Sequence, residues 1–65
     1  MTELEKLKHL LEHWTEHNEA HVKNYSEWAS KAESLGEQEL ALILKKIAEK
    51  SNALEDLFKK AKNIL

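Results

Sequence analysis

Four histidines, His9, His13, His17 and His21, fall within thirteen residues, and the 65-residue chain has no others. Each lies four positions from the next, the spacing that makes side chains neighbours on one helix face. His13 with His17, and His17 with His21, are therefore each spaced to hold one metal ion between two imidazoles. The spacing drifts around the helix, so one ion cannot take all four. His17 and His21 are the principal candidate ligands and His13 an assisting one, while His9 lies furthest toward solvent. A dimer that brought two copies of His17 and His21 together would supply the four nitrogen ligands that zinc, nickel or copper accept. No histidine has a glutamate three residues before it: those positions hold Lys6, Leu10, Trp14 and Asn18. The pattern thus departs from carboxylate-bridged di-iron bundles, and it lacks the His-Glu-x-x-His metalloprotease motif. A plainer reading stands beside the metal. In it His21 is a buried polar residue hydrogen-bonded to Ser51 or Asn18, and the other histidines are surface residues. Haem held between helices is allowed by ligand chemistry, but Trp14, Tyr25, Trp28 and Phe58 are expected to fill the interior themselves.

Two helices must position these side chains. Thr2-x-x-Glu5 reads as a capping box, and Glu3 and Glu5 suit the positive end of a helix. A 3–4 spacing then runs through Leu4, Leu7, Leu11, Trp14, Asn18, His21, Tyr25, Trp28, Ala32 and Leu35, the seam of five heptads. The pattern predicts a helix over 3–35, about 48 Å long at 1.5 Å per residue. Gly36, the only glycine, suits the left-handed position that ends a helix. A second helix is predicted over 38–64, capped by Glu37 or Ser34, with a seam of Leu40, Leu44, Ile47, Ser51, Leu54, Phe58, Ala61 and Leu65. Folding the two antiparallel about Gly36 sets Trp28 against Leu44, Tyr25 against Ile47, Trp14 against Phe58 and Leu11 against Ala61. The same register sets His21 against Ser51 with Asn18 beside Leu54, so Asn18, His21 and Ser51 form one expected polar layer. Histidine changes charge near physiological pH, so protonating a buried His21 would weaken the bundle in acid. Asn18 at a seam position is expected to fix register and oligomer state.

The apolar stripe is wider than a two-helix seam requires, because Leu10, Val22, Ala29, Ala41, Ile43, Ala48, Leu57 and Ile64 flank it. One partner helix cannot cover that width. The expected architecture is all-α: an antiparallel two-helix hairpin, one domain over 1–65, dimerising into a four-helix bundle. A chain this small buries only about 60% of its unfolded surface, and with no cysteine the available staples are a second chain, a metal or both.

Composition excludes much else. Hydrophobic residues make up 42% and charged residues 34%, with no proline and a net charge of −2. That mixture belongs to helical bundles rather than disordered chains, and interleaved acids and bases argue against a nucleic-acid face. The longest apolar run, Leu40 to Leu44, is far too short to span a bilayer. No charged-then-apolar leader precedes the first helix, and the expected compartment is the cytoplasm. The serines lack oxyanion donors, since amides inside a helix are already used, and the chain is not expected to be an enzyme.

The run His13-Trp14-Thr15-Glu16-His17-Asn18-Glu19-Ala20-His21, followed by Tyr25, Trp28-Ala29 and Lys31-Ala32, resembles a small family of histidine-containing helical hairpins from prokaryotes, a domain of unknown function. The resemblance implies a natural hairpin over most of the chain and a shared reason for the histidines, but no activity or ligand. Two function classes follow. One is a small non-catalytic helical protein binding a transition metal through His17, His21 and His13. The other is a structural or interaction module whose Asn18, His21 and Ser51 layer sets helix pairing and oligomer state. A pH-sensing assembly domain is a third.

Overall fold

The computed structural model describes residues 2–65; Met1, the first residue of the expected 1–65 domain, lies outside them. Two helices pack side by side, α1 (Glu3–Ser34) and α2 (Gln38–Ile64), in a rod of 51 × 17 × 11 Å. The all-α antiparallel hairpin follows from the sequence pattern. Thr2 caps α1, its hydroxyl accepting from the Glu5 amide at 3.1 Å.

α1 stops one residue short of the expected 3–35 because Leu35 begins the closing turn. The Gly36 amide donates to the Glu33 carbonyl at 3.0 Å and the Glu37 amide to the Ala32 carbonyl at 2.9 Å. These two bonds are the Schellman closure, and they require the left-handed φ of +83° that Gly36 adopts. α2 spans the expected 38–64, but its expected cap is absent. Glu37 occupies the cap position without a side-chain bond, and the Ser34 hydroxyl instead donates back to the Ser30 carbonyl at 3.1 Å.

The principal difference from expectation is a rotation of both helices about their axes. The contact seam of α1 is Leu11, Thr15, Asn18, Val22, Tyr25, Ala29 and Ala32, all buried or half-buried. That of α2 is Ala41, Leu44, Ala48, Ser51, Glu55, Phe58 and Lys62. Each is again a 3–4 repeat, but shifted by one residue at alternate positions, while Leu11, Asn18, Tyr25, Ala32, Leu44, Ser51 and Phe58 keep their places. Thr15 replaces Trp14, Val22 replaces His21 and Ala29 replaces Trp28; Ala41, Ala48 and Glu55 replace Leu40, Ile47 and Leu54. Small side chains let two backbones approach closely, and Ala29, Ala32, Ala41 and Ala48 are all buried near the turn. Thr15 is accommodated in this seam because its hydroxyl donates to the Leu11 carbonyl at 2.7 Å.

The rotation gives the hairpin two unlike long sides. In an antiparallel pair, positions one before each inner seam residue share one side and those one after share the other. On one side lie Glu5, Glu12, Glu19, Ser26 and Glu33 of α1 with Gln38, Lys45, Asn52 and Lys59 of α2. The Lys45 ammonium meets Glu33 there at 3.2 Å. The other side carries Leu7, Trp14, His21, Trp28 and Leu35 with Leu40, Ile47, Leu54 and Ala61.

Gly36→Ala should lower stability by about 1 kcal/mol, read from the urea unfolding midpoint. A Cβ there would meet nothing within 4 Å, so the cost is the backbone conformation alone. An unchanged midpoint would show that the turn does not need its left-handed φ.

Candidate functional site

The histidines form a ladder on the exposed part of α1. Ring centres of His13 and His17 lie 4.7 Å apart and those of His17 and His21 5.7 Å apart. Tyr25 continues the ladder, its ring nearly parallel to His21 at 5.9 Å and 15°. Regular four-residue spacing produces this directly, because each side chain on a helix sits above the one a turn earlier. His9 stands apart, its Nδ1 4.0 Å from Glu12. Among the described residues, no group of three or more histidine, cysteine, aspartate or glutamate side chains is arranged to hold a metal ion.

The expected polar layer needs correction. Asn18 and Ser51 do meet, but His21 is exposed and is not part of the inter-helix seam. The Asn18 amide donates to the Ser51 backbone carbonyl at 2.7 Å and reaches the Glu55 carboxylate at 3.3 Å. The partner of Asn18 is thus Ser51 and Glu55 rather than Leu54, and the acid replaces the imidazole. Rotation is the cause: Val22 takes the inner position and turns His21 onto the adjoining flank. Protonation of His21 therefore does not charge the hairpin's own interior.

Glu55 is missing from the expected layer because ranking by hydrophobicity gives its seam position to the neighbouring Leu54. The signal that could have found it was spacing. Ser51, Glu55 and Phe58 continue the 3–4 repeat of Ala41, Leu44 and Ala48 as regularly as the larger residues continue theirs.

His21 stands in the middle of the apolar side. Trp14 and Trp28 bracket it one heptad away in each direction, with 43% and 56% of their surface exposed. Leu40, Ile47 and Leu54 line the α2 half of the same side and are also exposed. Further out, Leu10, Ile43, Leu57 and Ile64 extend it, and His17 occupies the equivalent outer row of α1. Lys31 lies over the Trp28 ring at 4.7 Å, which covers one aromatic face with a cation. The arrangement offers a long hydrophobic surface interrupted at mid-length by two imidazoles.

Asn18→Ala should destabilise the fold by roughly 1 kcal/mol, the usual net worth of one such hydrogen bond, measured by chemical denaturation. A change below a few tenths would mean that the Asn18–Ser51 link adds nothing to helix pairing.

Among the described residues, no helix is long and apolar enough to cross a membrane. No solved structure matches the chain. An uncharacterized protein of Archaeoglobus fulgidus is 48% identical to it over 58 residues, covering 89% of this chain and 92% of that one. A family model described as a domain of unknown function matches residues 7–65, which include the whole histidine ladder and both seams. The chain belongs to this family, DUF8180.

Proposed function

We propose that this chain is a small non-catalytic helical module that works by pairing with a second copy of itself into a four-helix bundle. The observation that carries the reading is the unpartnered apolar side. Its exposed large side chains, including two tryptophans about half uncovered out of about 150–250 Å² each, present on the order of 1,000 Å² per chain. A stable interface needs about 800 Å² per partner, whereas a monomer rarely leaves more than a few hundred exposed in one patch. The hairpin's own interior is slight by comparison: among the described residues, Leu11, Thr15 and four alanines are buried, and no large side chain is fully enclosed.

A second copy fits this side better than an unrelated helix. The apolar rows run the whole length of both helices, and a two-fold axis maps such a surface onto itself. The polar side, by contrast, already has an ion pair across it and presents charge to water. Thr15 and Ser34 hydroxyls are spent on carbonyls of their own helix, and amides within α1 and α2 are used by the helices. Transition-metal binding enters this reading only at the level of the pair: among the described residues, one chain gathers no group of three or more metal-ligating side chains.

The test is sedimentation equilibrium of the metal-free protein with parallel thermal melts. The expected mass is that of two chains, with a melting temperature that rises with protein concentration. Leu54→Glu should shift the mass toward one chain, because burying an unpaired carboxylate costs about 2 kcal/mol or more. Asn52→Glu, on the polar side, should leave the mass unchanged. A one-chain mass with a concentration-independent melt would contradict the proposal.

A further inference from the structure

We infer that His17 and His21 from two paired chains form a four-imidazole site for a divalent transition ion at the centre of the bundle. The inference rests on the pairing proposed above.

The first observation is position along the axis. α1 runs from residue 3 to residue 34, so its centre lies between 18 and 19, and the His17–His21 pair is centred on 19. When α1 lies antiparallel on its own copy in full overlap, residue k falls beside residue 37 − k (3 + 34 = 37). His17 then lies beside position 20 of the copy, and His21 beside position 16. The centre of the pair falls within about 1 Å of the bundle's midpoint at a rise of 1.5 Å per residue. No other pair on the ladder does this: the centre of His13 and His17 lies three to four residues from the midpoint.

The second observation is position around the axis. His21 is in the row of Leu7, Trp14, Trp28 and Leu35, and His17 is in the adjoining outer row with Leu10. These two rows form the edge that meets the second α1 when the hairpin turns lie at opposite ends of the bundle. Of the nine residues in the two inner apolar rows, His21 alone is polar. A polar group placed in such an interface must find a partner or be costly to bury, and the described hydrogen bonds assign none to either imidazole.

The third is the separation of the rings. Two imidazoles on one tetrahedral ion, with metal–nitrogen bonds of about 2.0–2.1 Å, hold their ring centres about 5 Å apart. His17 and His21 stand at 5.7 Å before any ion draws them in, and the Tyr25 ring stacked on His21 limits how far it can swing away. Two such pairs complete a four-nitrogen shell of the kind that zinc, nickel and copper accept.

Isothermal titration of the untagged, chelator-treated protein with zinc chloride tests the site, and sedimentation of the same metal-free sample reads pairing separately. The expected stoichiometry is one zinc per two chains. The double variant His17→Ala, His21→Ala should bind roughly a hundredfold more weakly or worse while keeping the two-chain mass. The variant His9→Ala, at the imidazole that stands apart from the ladder beside Glu12, should bind as the parent does. With copper(II) in place of zinc, electron paramagnetic resonance should show nitrogen coupling from imidazoles, lost in the first variant. A two-chain protein that takes up no zinc, takes one ion per chain, or binds equally well without His17 and His21 overturns the site while leaving the pairing intact. A one-chain mass in the metal-free sample overturns the pairing instead.

Discussion

Two helices laid side by side can cover only one stripe of each other, and that limit governs this structure. The chain carries three apolar rows per helix, and one neighbouring helix has room for two of them. The hairpin fills its inner contact with the smaller members. Ala29, Ala32, Ala41 and Ala48 are buried, so the backbones can approach closely near the turn. The larger members, Trp14, Trp28, Ile47 and Leu54, are held together on one flank instead of being shared between two. Close approach within the hairpin and a broad apolar side outside it are therefore one decision about helix rotation.

Much of the architecture was legible from residue types alone. Gly36 marked the turn because only glycine occupies a left-handed φ without strain, and its +83° confirms that reason. Thr2 was recognised as a cap from its place before the first acidic turn. The contact between the levels of Asn18 and Ser51 followed from the antiparallel register. Rotation was not legible in the same way. Two 3–4 repeats run through α1 one residue apart and share Leu11, Asn18, Tyr25 and Ala32. Ranking by hydrophobicity selects the repeat with tryptophan and leucine, whereas packing of two backbones selects the repeat with alanine and valine. The fate of His21 turned on that choice, as did the entry of Glu55 into the polar layer. No rule that sends charge to the surface would have placed Glu55 near Asn18.

The rotated hairpin changes what the histidines mean. Had His21 lain inside the seam, it would have been a buried polar residue of a single chain, explained by a hydrogen bond to Ser51. Standing instead between Trp14 and Trp28 on an uncovered side, it bears on whatever covers that side. In the proposed pair, a second copy would bring the same imidazoles to the same level, because the His17–His21 pair sits at the middle of α1. Assembly and ligand chemistry thereby become questions about one surface, whereas the other side carries the Glu33–Lys45 pair.

The most direct test is pulsed dipolar spectroscopy on protein spin-labelled at Ser34→Cys, a position on the outer side of α1 beside the turn. If two hairpins cover each other's apolar sides with their turns at opposite ends, the two labels stand about 45–50 Å apart, the span of α1 at 1.5 Å per residue. The absence of any dipolar signal would mean that the apolar side is not covered by a second copy. A short distance would mean that the turns lie together and that the two α1 helices do not meet.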